Sequence, residues 1–324
     1  IYTNYDNTYS TIEQDIKMMK ESNINSIRLS HYPQTPYIYY LANKYGMYLI
    51  AEASQESSVI SGAAISRDWA DHIIERNYSL VYRERNNPSV IIWSLGNETY
   101  YGNGADMSKD EKWYPGVLYH LGDIVHDLDA TRPVHYEPAY AGLNVSEDPN
   151  APSSGALTFT QLSELIKNNP DLDIDPYYGV DMRSNMYPNS DIMQDYADSG
   201  NNIPFVVCEM SHGTGNLWGG IKEFWDIIRS GKNMQGAFFW EWRDQGMWLT
   251  DKDTGIRYMG NQYDFYKDKN SLSKTGGAGD SNQDGLVKTD NTPKPGLYEA
   301  KRVLGNIQFD YVSEDVANGE LVLD

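Results

Sequence analysis

Two glutamates each close a run of apolar residues: Glu98 ends Val90-Ile-Ile-Trp-Ser-Leu-Gly-Asn-Glu98, and Glu209 ends Pro204-Phe-Val-Val-Cys-Glu209. Paired carboxyl groups across a pocket suit cleavage of a glycosidic bond, one donating a proton to the leaving oxygen while the other attacks the anomeric carbon. A single glutamate of this kind is as readily an ion-pair partner or a helix cap, but two in separate motifs point to chemistry. His31, in Ser30-His-Tyr-Pro33, is by residue type alone more often structural than catalytic. Trp240, Trp242, Trp93 and Tyr187 stand at the ends of similar runs, where aromatic rings either stack on the C–H face of a sugar or fill the core.

Such residues need strands that end together. Asn25 to His31, Met47 to Glu52, Val90 to Glu98 and Pro204 to Glu209 are short β-branched or aromatic runs with polar ends, as buried parallel strands are. Pro133 to Glu137, Asp181 to Tyr187 and Gln235 to Glu241 are weaker members of the set. Helical spacing lies between them, as in Ile12, Ile16 and Met19, or Ile221, Phe224, Trp225 and Ile228. Alternating helix and strand predicts an α/β fold with a parallel sheet, and this number of strands suits a (β/α)8 TIM barrel better than an open sheet. Active sites of such barrels gather at the C-terminal ends of the strands. Glu98 and Glu209, about three βα units apart, are then expected on the fourth and seventh strands, facing each other across the mouth.

The chain opens on a helical pattern, so the first barrel strand is expected outside the 324 residues. The expected organisation is a partial catalytic barrel over residues 1–307, with residues 308–324 beginning a β-sandwich domain. Tyr140 to Gly155 and Asp268 to Asp290 are rich in small and polar residues and read as long loops. Within the second, Asp280-Ser-Asn-Gln-Asp-Gly285 matches the first half of a calcium loop, but Asn291 stands where a bidentate Glu is expected, so it reads as a polar turn.

Composition excludes several classes. The net charge of −20 repels phosphate, which argues against nucleic acid and anionic membranes as partners. The longest apolar run, Tyr37 to Ala42, is far shorter than the ~20 residues of a membrane-spanning helix. Residues 1–10 carry no signal-peptide pattern, and localisation stays open between cytoplasm and cell surface or secretion. One cysteine, Cys208, excludes an internal disulfide framework. Phosphate-loop, His-Glu-x-x-His and Gly-x-Ser-x-Gly motifs are absent from the sequence.

Taken together, Arg28-Leu-Ser-His-Tyr-Pro33, Tyr45 to Ala53, Arg85 to Glu98, Thr131 to Glu137, Cys208 to Asn216 and Trp240 to Gln245 resemble the catalytic barrel of glycoside hydrolase family 2, of the bacterial β-galactosidase type. The resemblance implies a retaining exo-glycosidase acting on terminal β-linked galactose in a galactoside or oligosaccharide, within a polypeptide carrying further β domains. It implies that Glu98 is the acid/base, Asn97 a contact of the sugar 2-hydroxyl, and Glu209 the nucleophile, with Tyr187 beside it. His31 and His212 resemble the histidines that contact galactose hydroxyls and the transition state, and Trp240 the aromatic floor under the sugar. Family members often bind Mg2+ beside the acid/base. Here Glu56 and Glu98 match that site, but Ser58 replaces its histidine. The family's Na+ site draws partly on the loop near Asp284. The alternatives are the same reaction on another β-glycoside (glucuronide, mannoside or glucosaminide) and a non-catalytic carbohydrate- or calcium-binding module.

Overall fold

The computed structural model describes residues 9–56, 67–97, 121–137, 179–213, 218–245, 247–251, 253–260, 284–307, 311–315 and 320–323. Glu98, Ser58 and the loop Tyr140 to Gly155 lie outside the described residues, as do Asp280 to Gln283. Helix α1 (Tyr9–Glu21) buries Ile12, Ile16 and Met19, the face that the spacing predicts. β1 (Ser26–Leu29) follows, then α2 (Pro36–Tyr45). Proline suits the first turn of α2, where no backbone N–H is needed, and Gly46 ends the helix at φ 68°, a left-handed conformation that costs glycine little. The chain then returns as β2 (Tyr48–Glu52), parallel to β1 with Ser26 opposite Tyr48.

The alternation continues through α3 (Arg67–Glu84), β3 (Val90–Ser94), α4 (Leu121–Leu128) and β4 (Val134–His135). It resumes with β5 (Arg183–Met186), α5 (Ser190–Asp198), β6 (Phe205–Met210), α6 (Ile221–Ser230) and β7 (Met234–Phe239). The Asn189 side chain caps α5 by accepting from the Ile192 N–H, filling one of the orphan donors at a helix start. β1 to β4 form one parallel sheet in sequence order, and β5 to β7 form another. Asp181 joins the two sheets: its N–H donates to the Val134 carbonyl (3.0 Å), and its carboxylate accepts from the Val134 N–H (2.6 Å). These seven parallel strands are those read from the sequence.

One hydrophobic cluster packs α1, α2, α3 and α4 against β1 to β4, and a second packs α5 and α6 against β6 and β7. β1 and β7 come close without pairing among the described residues, and a cavity of about 500 Å3 lies between them, lined by Ile27, Leu29, Ala237 and Phe239. Two antiparallel hairpins follow in the chain, β8 (Met247–Thr250) with β9 (Arg257–Gly260) and β10 (Tyr311–Asp315) with β11 (Glu320–Leu323). Between them α7 (Pro295–Val303) buries Leu297, Ala300 and Val303 in a cluster with Trp218 and Ile221. No described helix is long and apolar enough to cross a membrane.

Candidate active site

The C-terminal ends of the parallel strands carry the polar residues. β1 contributes Arg28 and, just beyond its end, His31; β2 contributes Glu52; β3 contributes Ser94 and, three residues on, Asn97; β6 contributes Glu209. Arg28 lies at the centre of this group. Its Nη1 donates to Glu209 Oε1 (2.8 Å) and its Nη2 to Asn97 Oδ1 (2.7 Å), while Nε and Nη2 reach the two oxygens of Glu52 (2.8 and 3.0 Å). A planar guanidinium has the fixed fork of donors that such a three-way grip requires. Burial works against its charge, but Glu52 and Glu209 outweigh burial and raise the pKa, so Arg28 stays cationic.

Both oxygens of Glu209 are held. Oε1 takes Arg28, and Oε2 accepts from the Tyr187 hydroxyl at 2.6 Å. Burial, reinforced by the Glu209 charge, drives the Tyr187 pKa up, so the phenol keeps the proton it donates. A carboxylate only 3% exposed, with its orientation fixed from two sides, is suited to present a lone pair in one direction. The Asn97 N–H donates to the Gln55 carbonyl (2.8 Å) and its Nδ2 to Glu56 Oε2 (2.9 Å), which holds the asparagine side chain between Glu56 and Arg28.

The aromatic and histidine residues border this network. His31 stacks on Trp240 with ring centroids 5.1 Å apart, and its Nε2 is 3.9 Å from Glu209 Oε1. His212 meets the Tyr187 ring edge-on at 5.6 Å and lies 3.2 Å from Asp284. The structure thus brings Glu209, Tyr187, His31, Asn97, Glu56, His212 and Trp240 to one end of the strands.

Four residues that sequence reasoning did not assign to the site also converge here: Arg28, Glu52, Glu241 and Asp284. Glu52 closes an apolar run as Glu209 does, so the same rule would have found it. Asp284 falls in a segment read as a polar turn, yet it is fully buried. The Glu241 N–H donates to the Asp284 carbonyl (3.1 Å), and the Leu286 N–H donates back to the Glu241 carbonyl (2.9 Å). Gly285 permits this approach, because a Cβ there would run into the backbone of Arg243 and Asp244. Burial and then the charge of Asp284 push the Glu241 carboxyl well above the usual carboxylate range, and burial raises Asp284 too, so the pair retains a proton at neutral pH.

Among the described residues no cluster of three His, Cys, Asp or Glu side chains could hold a metal. Glu56, the described residue of the Mg2+ expectation, supplies one carboxylate, which accepts from Asn97 Nδ2. At the position on which the Na+ expectation rests, the Asp284 carboxylate lies against Glu241 and His212.

Comparison with known proteins agrees with the geometry. Residues 7–309 match the family described as glycosyl hydrolases family 2, TIM barrel domain. The chain is 32% identical over 313 residues to "Beta-galactosidase 2" of Enterobacter cloacae, an alignment covering 94% of this chain and 26% of that protein. It spans about a quarter of the length of the curated relatives it matches. Among solved structures, a family 2 member from Bacteroides cellulosilyticus shares its fold at TM-score 0.57 and 18% identity, over 94% of this chain and 31% of that one. A β-D-glucuronidase from Dictyoglomus thermophilum does so at TM-score 0.58 and 16% identity, over 93% and 48%. The chain, with its parallel strands and the carboxylates gathered at their ends, belongs to glycosyl hydrolase family 2, as the TIM barrel domain of that family.

Proposed function

We propose that this barrel is the catalytic domain of a retaining exo-β-galactosidase, with Glu209 as nucleophile and Glu98 as acid/base. The observation that carries the reading is the Glu209 carboxylate, gripped by Arg28 through one oxygen and by Tyr187 through the other. In the first step Glu209 attacks the anomeric carbon while Glu98 protonates the departing oxygen, giving a glycosyl-enzyme and a free alcohol. In the second, Glu98 takes a proton from water, which displaces Glu209 and releases the sugar with its β configuration retained. Asn97 meets the 2-hydroxyl, His31 and His212 other hydroxyls, and Trp240 the face of the ring. No step is routed through Mg2+ or Na+.

The choice of a neutral sugar rests on charge as well as on the β-galactosidase name of the Enterobacter cloacae relative. Arg28 is already engaged by Glu52, Glu209 and Asn97, and Asp284, with Glu241 against it, stands beside His212. The carboxylate of a uronic acid would enter acidic surroundings. We further propose that a strand outside these residues closes the gap between β1 and β7, and that residues 308–324 open a further β domain.

The test is hydrolysis of a panel of aryl β-glycosides by the full-length protein and its Glu209→Gly variant. Turnover is expected on the β-galactoside above the β-glucuronide, with a loss on the order of 10³-fold or more in Glu209→Gly. Azide should restore it and yield the α-galactosyl azide. A Glu209→Gly form as active as the parent, or azide that gives no α-product, overturns the nucleophile; a preference for the glucuronide overturns the sugar.

A further inference from the structure

We propose that Glu52 is a positioning residue of this active site: it fixes which ring nitrogen of His31 faces the substrate and balances the charge of Arg28, so that Arg28 can hold Glu209 and Asn97. The proposal rests on the glycosidase reading for its kinetic consequence and on geometry alone for the histidine.

Glu52 is fully buried and accepts four hydrogen bonds. Oε1 takes Arg28 Nη2 (3.0 Å) and His31 Nδ1 (2.8 Å); Oε2 takes Arg28 Nε (2.8 Å) and the Ser94 hydroxyl (2.7 Å). Burial by itself would raise its pKa, but the charge of Arg28 and the bonds from His31 and Ser94 outweigh burial and hold the carboxyl at about 2. Glu52 is therefore an acceptor at both oxygens.

That settles the proton on His31. Two groups compete for Nδ1: Arg28 Nη2, which as a donor would need a bare nitrogen, and Glu52 Oε1, which needs an N–H. The first contact is 3.4 Å, at the edge of hydrogen bonding, and the second is 2.8 Å to a charged acceptor. The carboxylate wins, and Nδ1 carries hydrogen. Nε2, 3.9 Å from Glu209 Oε1, is left to face the reacting sugar, as an acceptor for a hydroxyl when the ring is neutral.

Charge balance ties Glu52 to Glu209 as well. Arg28 is shared by two carboxylates, so with Glu52 in place the three groups sum to one negative charge, available on Glu209. Glutamine at position 52 presents an NH2 to donors whichever way its amide is turned, because both oxygens of Glu52 accept from two groups. Arg28 would then lean toward Glu209, weakening it as a nucleophile, and the orientation of His31 would be lost.

The experiment has two arms on the full-length protein. Neutron diffraction from the unmodified protein is expected to show deuterium on His31 Nδ1, whether the ring is neutral or protonated; a bare Nδ1 overturns the proposal. In steady-state kinetics on the aryl β-galactoside, Glu52→Gln is expected to lower kcat about 10²-fold with KM within about threefold, since a small misplacement acts mostly on the transition state. Combined with His31→Ala, the loss should be smaller than the product of the single losses, because the two residues act through one contact. Multiplicative losses, or a Glu52→Gln kcat within threefold of the parent, overturn it. If Glu52→Gln does not fold, the neutron arm decides alone. If the unmodified protein hydrolyses no glycoside, the glycosidase reading fails while the position of the His31 proton still tests the role of Glu52.

Discussion

Glu52 and Glu241 are both buried at the ends of barrel strands, yet their carboxyl groups shift in opposite directions. Glu52 is held at about 2 against an ordinary 4.5, while Glu241 is pushed up far enough to keep a proton at neutral pH. Desolvation disfavours both anions, so burial does not separate them. Glu52 faces the Arg28 fork with two further donors; Glu241 faces another carboxyl, Asp284. One side of the site is thus a saturated ion network, and the other is a pair of buried acids that together retain a proton. The partner, rather than the burial, decides whether a strand-end acid is charged.

Removing Arg28 breaks that contrast most severely. Arg28→Leu leaves Glu52 and Glu209 buried without their cation, and stability should fall by roughly 3–5 kcal/mol, the cost of stranding a buried charge. Activity on the aryl β-galactoside should fall on the order of 10³-fold or more, because Glu209 and Asn97 lose a shared anchor. Urea unfolding measures the first and kcat/KM the second. A variant as stable as the parent would mean that Glu52 is not ionised in the folded protein.

Much of this arrangement was legible in the sequence, and the remainder has a physical reason for being hidden. The strands β2, β3 and β6 announce themselves because Leu49-Ile-Ala, Val90-Ile-Ile-Trp and Phe205-Val-Val-Cys leave no solvent-facing alternation. Glu209 could be placed because it follows such a run, whereas the roles of Tyr187 and His31 came from the resemblance to glycoside hydrolase family 2. Arg28 could not be assigned, since a charge inside Ser26–Leu29 does not reveal that its side chain reaches across to β2 and β6. Asp284 was hidden by its neighbours: a stretch rich in Gly, Asp and Asn has the composition of a solvated loop. Its burial comes from backbone bonds to Glu241, more than forty residues away in sequence, which no local periodicity encodes.

The acid pair sharpens the comparison through pH. For Glu52 the folded value lies below the ordinary one, so its stabilisation is present above pH 4.5 and is lost as pH falls toward 2. For Glu241 the sign is reversed: the folded protein binds the proton more tightly than the unfolded chain, so stability declines as pH rises from 4.5 through the raised value. Glu241→Gln imitates the protonated acid, and its amide oxygen can still accept from Gln245. The variant should match the parent at pH 5 and exceed it by roughly 3–4 kcal/mol at pH 8, at about 1.4 kcal/mol per pH unit. Parallel stability curves for the two proteins across that range would remove the proton from the pair.

A finer question is how much of the difference between the two acids comes from charge and how much from hydrogen bonds, and Ser94 separates them. Its hydroxyl has one hydrogen, and that hydrogen goes to Glu52 Oε2 (2.7 Å). Ser94 must then accept from His135 Nδ1 (2.8 Å), and His135 Nε2 accepts from the Ser184 hydroxyl (2.8 Å). The neutral ring this requires is the one burial favours, with the charge of Arg28 assisting, and the His135 pKa is lowered to about 3. Ser94→Ala removes one of the four donors to Glu52 and strands a buried N–H, but leaves the Arg28 ion pair whole. The expected cost is about 1.5 kcal/mol in urea unfolding, less than for Arg28→Leu, with kcat reduced by less than about tenfold. A loss as large as that of Arg28→Leu would mean that the relay of hydroxyl and imidazole, rather than the arginine, keeps Glu52 ionised.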